Sequence, residues 1–373
     1  MSKISILYIT SILCHHELGL WDWLNKDKDV SFVYLATSNP NVTISSRYLE
    51  DEKRSYAKCS HNFDNASLKK MVESFDIIYI GDIQDERIWE LIANKNNVVP
   101  VLEHYSRFRP FFPNIVFEIL RRVKFYLRIK KRLERIHYRY ALCISYYASE
   151  DIHFCFKDQI TLEFSYFKNY VFPTYDCLEK KDKYKILYVG RNIECKHPKT
   201  SISFFKEFNN YNLYEMTIVG EGLNEIIDMG RYDRVTYMPH LSHQKMMEAF
   251  ELSGIFVFPS DRREGWGVVL NEAMSKGCIV FACKRAGSTN TLVVDGVNGF
   301  SYTTMHELRK KIKKYHSMND ADILRMRINA LNTIKNVWNG EVAAKRIKQL
   351  SLSIKNGEDF APYQSGPLSL TKF

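Results

Sequence analysis

Pro259–Ser275 reads PSDRREGWGVVLNEAMS. Apolar Gly254–Phe258 before it has the character of a strand, and Val268–Lys276 that of a helix. The loop between them carries Glu264 and then Gly265-Trp266-Gly267, whose glycines let a backbone approach a ligand closely. The helix presents its first amides to the same place, and such a terminus attracts anions. Glu272 follows Glu264 by eight residues, about two helical turns. The plainer alternative is that Glu264 complements the helix dipole and Glu272 is a surface residue.

Strand–helix alternation continues on both sides. In the second half Lys185–Val189, Tyr214–Val219, Val235–Met238 and Cys278–Ala282 are further expected strands. Pro198–Phe208, Asn224–Met229 and Ser242–Leu252 are expected helices, and His306–Tyr315, Asp320–Ile334 and Glu341–Ile354 close the chain before an irregular tail. In the first half Ile4–Ile9, Val30–Ala36, Asp76–Ile80, Val98–Leu102 and Ala141–Ile144 read as strands. Leu18–Asn25, Ser67–Ser74 and Asp85–Asn94 read as helices, and polar Asn39–Asp64 as a loop region. Such alternation implies parallel sheets covered on both faces. The expected fold is α/β, with two Rossmann-like doubly wound domains, residues 1–172 and 183–354, a linker near Pro173 and a tail at 355–373. Ligands of such sheets bind at the carboxyl ends of the strands, so the cleft facing both domains is the expected site.

The composition agrees with a globular chain. At 373 residues two domains are the default, and 45% hydrophobic with 26% charged residues can build full cores. No apolar run approaches the ~18 residues of a membrane span. Ile4–Cys14 is broken by Ser5, Thr10 and Ser11 and lacks a small-residue cleavage site, so it does not read as a signal peptide. The eight cysteines contain no C-x-x-C pair, which suits a reducing compartment and argues against a disulfide framework or a zinc site.

The net charge is +10, which points to an anionic partner. Between Ile115 and Tyr140 stand nine basic and two acidic residues, and no Gly or Pro interrupts a single long helix. Val116, Ile119, Leu120, Val123, Tyr126, Leu127, Ile129, Leu133 and Ile136 would share one arc; Arg121, Lys124, Arg128, Lys131, Arg132, Arg135 and Arg139 would share the opposite one. Three readings stand together: an ordinary amphipathic helix with a solvated face, a surface on anionic lipid with Phe108, Phe111 and Phe112 dipping in, or phosphate contact with nucleic acid. No nucleic-acid-binding signature accompanies the segment, which ranks the last reading lowest.

The Pro259–Ser275 segment resembles the retaining glycosyltransferases of family 4, which have the GT-B fold, in its Pro-Ser, E-G-aromatic-G and E-A-Met features. Further matches follow in order: Tyr188-Val189-Gly190-Arg191 with Lys196, Ile218-Val219-Gly220-Glu221-Gly222, Val235–Leu241, Gly287, Asp295-Gly296-Val297-Asn298-Gly299-Phe300, and Trp338. The resemblance implies that Arg191 and Lys196 hold the diphosphate of a nucleotide-sugar donor, offsetting charge on the leaving phosphate without a metal. It implies that Glu264 binds the donor sugar, that the amides of Trp266, Gly267 and Val268 contact sugar and phosphate with Gly265 also in the donor-binding set, and that Glu272 takes the ribose hydroxyls. Gly190 would belong to the diphosphate turn, His240 and Leu241 to a base-contacting loop, and His104 would contact sugar. The sequence departs from the family where Cys14-His15-His16-Glu17-Leu18-Gly19 replaces a Gly-Gly loop and where Ser288 and Thr291 follow Gly287.

With the resemblance in view, membrane contact moves ahead of the ordinary amphipathic helix. The implied protein is a metal-independent enzyme of bacterial surface-polysaccharide type with no separate cofactor. It would move sugar from a donor, with UDP the expected carrier, to a lipid-linked or glycan acceptor. It would be cytoplasmic and peripheral on the inner membrane face, holding the surface through Arg121, Lys124, Arg128, Lys131, Arg132 and Arg135. A sugar-nucleotide epimerase of the same architecture and an inactive membrane- or glycan-binding scaffold are the alternatives.

Overall fold

The computed structural model describes residues 3–14, 16–38, 54–103, 123, 126–209, 213–225 and 232–371. The chain divides into two compact units, Met1–Asn169 with Trp338–Phe373, and Tyr170–Val337. The second of the expected domains ran to residue 354; the helix Gly340–Asn356 instead packs on the first unit.

In the first unit, strands β1 (Ile4–Thr10), β2 (Val30–Ala36), β3 (Ala57–Cys59), β4 (Ile77–Ile80), β5 (Val98–Glu103), β6 (Tyr140–Ile144) and β7 (Ile160–Phe164) form one sheet in the order β3-β2-β1-β4-β5-β6-β7. Every described pairing is parallel. Continuous Ile, Leu and Val runs suit strands buried on both faces. β3 falls inside the expected loop region, and β7 was not expected: three residues, or an alternating run with Glu163 in it, give a weak apolar signal.

Two glycines let the closing helix approach. A Cβ on Gly340 would lie 2.2 Å from the Gly19 carbonyl oxygen, and one on Gly19 would lie 2.5 Å from the Lys168 carbonyl. Lys348 then bonds Asp27 at 2.8 Å and Asp29 at 3.1 Å, and the Tyr79 and Ser351 hydroxyls meet at 2.8 Å. The tail, expected to be irregular, bonds along β7: Leu368 N donates to Glu163 O at 2.7 Å and Glu163 N to Ser369 O at 2.8 Å. Covering an edge strand removes a site for unwanted pairing.

The basic segment differs from the expected single helix. Helical backbone covers 126–133, and a turn follows, so Arg135 and Arg139 lie beyond the helix. Ile129, Leu133 and Ile136 are buried against Ile88 and Trp89. Val123 and Leu127, expected on the buried arc, are 47% and 55% exposed. Arg132, expected on the solvated face, is buried; it bonds Glu86 at 3.1 Å and lies 5.7 Å from the Trp89 ring centroid. Arg135 bonds the other Glu86 oxygen at 2.9 Å. Arg128 and Lys131 are exposed. Arg121 and Lys124 lie outside the described residues.

In the second unit, β8 (Asp182–Val189), β9 (Glu215–Val219), β10 (Val235–Met238), β11 (Ser253–Phe258), β12 (Ile279–Cys283) and β13 (Phe300–Tyr302) pair in the order β10-β9-β8-β11-β12-β13, again parallel. The helix Pro198–Asn209 packs Phe204, Phe205 and Phe208 into a core with Phe281, Phe300 and Tyr315. The order reverses direction between β8 and β11. Loops leaving the carboxyl ends of those two strands diverge to opposite sides, which opens a crevice there.

Candidate functional site

The β8 end is shaped by close approach. Gly190 N donates to Val219 O at 2.9 Å, and a Cβ on Gly220, whose φ is +155°, would lie 1.7 Å from the Gly190 carbonyl oxygen. A side chain at Gly220 would separate the β8 and β9 loops, and one at Gly190 would meet the Tyr188 hydroxyl at 2.5 Å. Arg191 follows at an exposed position. The chain then makes the short turn Glu194–Lys196, and His197 takes a left-handed conformation at φ 46° before the helix Pro198–Asn209 begins.

The β11 end carries the Pro259–Gly267 loop. Gly267 has φ +86°, and a Cβ there would lie 2.3 Å from the Phe258 ring, so this position requires glycine. Gly267 caps the helix Val268–Ser275, where Leu270 N donates back to Gly267 O at 2.9 Å, and a helix N-terminus of this kind attracts anions. Trp266 is buried, and its indole N–H donates to Asn271 Oδ1 at 2.7 Å. Its ring thus anchors the loop, leaving Gly265 with open space beside its Cα.

The two loops bring Lys196 and Glu264 together as an ion pair, with side chains 13% and 14% exposed. Partial removal from water strengthens their mutual field. Glu272 lies within the helix and is buried. Tyr170 stands beside it; burial first, and then the Glu272 charge, keeps that phenol protonated well past its ordinary range. His240 and Leu241 follow β10, and His240 Nδ1 lies 4.0 Å from Glu221 Oε1. His104 and His15 lie outside the described residues.

A second ionic group was not expected from sequence. The Asp261 carboxylate lies 2.8 Å from His197 Nε2 and accepts from Arg263 Nη2 at 2.6 Å and the Arg263 amide at 2.8 Å. Arg263 Nη1 reaches Glu194 at 2.9 Å, and Asp261 N donates to Cys195 O at 3.0 Å. This chain of charges staples the Lys196 loop to the Glu264 loop. Burial alone would raise the Asp261 pKa, but bonds from His197 and Arg263 outweigh it and hold the carboxyl well below its ordinary range. Arg263 is held more firmly charged, chiefly by its bond to Asp261. The only signal in the sequence was a charged D-R-R run beside the glycines.

The Asp295–Phe300 run has a structural use. Asn298 Oδ1 accepts from Val294 N at 2.7 Å and its amide donates to Leu292 O at 2.8 Å, while Asp295 accepts from Ser301 N at 3.0 Å. These bonds close the turn that feeds β13.

The arrangement offers cations and amides for an anion, beside an acidic group for hydroxyls. No curated protein sequence matches the chain at a significant level. Among solved structures, it is similar to sucrose-phosphate synthase from Thermosynechococcus elongatus, with TM-score 0.64 and 16% identity over 95% of this chain and 100% of that one. It is also similar to a glycosyltransferase from Rickettsia africae, with TM-score 0.67 and 14% identity over 95% and 99%. Anabaena HepE, solved with UDP and glucose, gives TM-score 0.62 and 14% identity over 94% and 100%. The chain therefore has the GT-B architecture of two Rossmann-like units, and its residues 176–331 match the family model described as Glycosyl transferases group 1.

Proposed function

We propose that this protein is a retaining, metal-independent glycosyltransferase that uses a nucleotide-diphosphate sugar. The Lys196–Glu264 pair at the β8–β11 crevice, beside exposed Arg191 and the Val268–Ser275 amides, carries this reading. As the bond between anomeric carbon and phosphate oxygen breaks, its electron pair moves onto the diphosphate. Arg191, Lys196 and the amides of Gly265 to Val268 face that growing charge. Glu264 holds sugar hydroxyls, and His104 is assigned to the same sugar. Glu272 takes the ribose, and His240 with Leu241 faces the base. The acceptor hydroxyl attacks on the face the diphosphate leaves, and a phosphate oxygen takes its proton. UDP is the proposed carrier, supported by its presence in the HepE structure.

The proposed acceptor is a lipid-linked or other glycan, in bacterial surface-polysaccharide assembly at the cytoplasmic membrane face. Exposed Val123 and Leu127 beside exposed Arg128 and Lys131 support contact with anionic lipid. Among the described residues no helix is long and apolar enough to cross a membrane.

A donor panel read by thermal shift, followed by product analysis, tests the function. One UDP-sugar is expected to stabilise the protein by mass action. Glu264→Ala is expected to lower transfer by about 100-fold, and Glu272→Ala to raise the donor KM. Full transfer activity in both variants would refute the site, and conversion of donor to its epimer without acceptor would refute the reaction.

A further inference from the structure

Within the second unit, the ends of β11, β12 and β13 and the helices Pro198–Asn209 and Met305–His316 line a half-open pocket of about 480 Å³. That volume suits a small organic molecule. Lys206, Arg285 and Arg309 line it, against the single carboxylate of Glu207, which Arg309 already engages at 2.8 Å; the His197 ring, bonded to Asp261, also borders it. Thr200, Ser203 and Thr303 add hydroxyls to the wall. Tyr302 also lines it; the phenol is buried, and its hydroxyl has no hydrogen-bond partner among the described residues. None of Arg191, Lys196, Glu264 or Glu272 borders this space.

Cations in excess, with hydroxyls around them, match a compact group of high charge and many acceptor oxygens. Phosphate fits that description, because guanidinium groups pair with its oxygens two at a time while lysine supplies point charge. The walls of β-strand ends and the apolar parts of Pro259 and Met305 leave room for an organic portion. We propose that this pocket is a second anion site that binds a phosphorylated small molecule, its phosphate held by Lys206 and Arg285. The proposal does not depend on the donor reading, which uses other residues.

Calorimetric titration with glucose-6-phosphate and with inorganic phosphate, at fixed ionic strength, tests it. The Arg191→Gln/Lys196→Gln variant removes cations from the crevice and is expected to retain saturable glucose-6-phosphate binding. Lys206→Gln with Arg285→Gln is expected to weaken that binding at least about tenfold. Both side chains are exposed, so circular dichroism should show an unchanged fold. Binding lost in the first variant, or undiminished in the second, overturns the proposal. Equal affinity for inorganic phosphate and glucose-6-phosphate overturns its organic part.

Discussion

At the scale of the residue, Gly267 and Asp261 do the most to shape the crevice. Alanine at 267 must adopt φ +86° and place its methyl against the Phe258 ring. Strain of that kind costs about 1–3 kcal/mol. Gly267→Ala is therefore expected to lower the melting temperature and reduce transfer together, whereas Gly265→Ala, with open space around it, should retain the melting temperature. Calorimetry on both variants separates the effects. Asp261 is held ionised in the folded state, so its contribution is fully present above the unfolded carboxyl pKa of about 4. It is lost as pH falls through the lower folded value. Asp261→Asn should cost about 1–2 kcal/mol at neutral pH, and denaturant titrations should show the gap closing below about pH 4.

At the scale of the element, the basic segment shows that one charge pattern serves two purposes. Arg132 and Arg135 converge on Glu86, and Arg132 is buried over Trp89, so these charges hold the element to its unit. Arg128 and Lys131 remain at the surface. Arg132→Gln would remove the buried guanidinium over Trp89 and its bond to Glu86, which keeps only Arg135, and is expected to cost about 1–3 kcal/mol, read from urea unfolding. Arg128→Gln with Lys131→Gln should leave unfolding unchanged and weaken flotation with anionic vesicles at low salt. If wild-type protein ignores such vesicles, the membrane proposal fails. The helical period gave the right phase for Ile129 and Leu133, which are buried, whereas Ile136 is buried beyond the helix end. It could not place the helix end, because no Gly or Pro marks the turn after Leu133.

At the scale of the whole molecule, the chain crosses from the first unit to the second and returns for its last helix. Residues 170–337 contain a full sheet and core, so that segment is expected to unfold cooperatively when expressed alone. A chain ending at 337 loses the Lys348 bonds to Asp27 and Asp29 and exposes the apolar face of Leu18–Lys26. It is expected to aggregate, which size-exclusion chromatography would reveal.

The sequence by itself determined the two parallel sheets, because runs buried on both faces must be apolar throughout, and it marked Glu264, Gly265, Gly267 and Glu272 by their spacing after a strand end, while Arg191 and Lys196 were marked only through the family resemblance. Most strand limits fell within one or two residues of expectation. Only the tertiary structure joined Lys196 to Glu264 and assembled Glu194, His197, Asp261 and Arg263, since those contacts cross about 65–70 residues of chain. It also decided that Gly340–Asn356 belongs to the first unit. An amphipathic pattern states that one face must be buried; it does not state against which partner, and here the close approach of Gly19 and Gly340 supplies the answer.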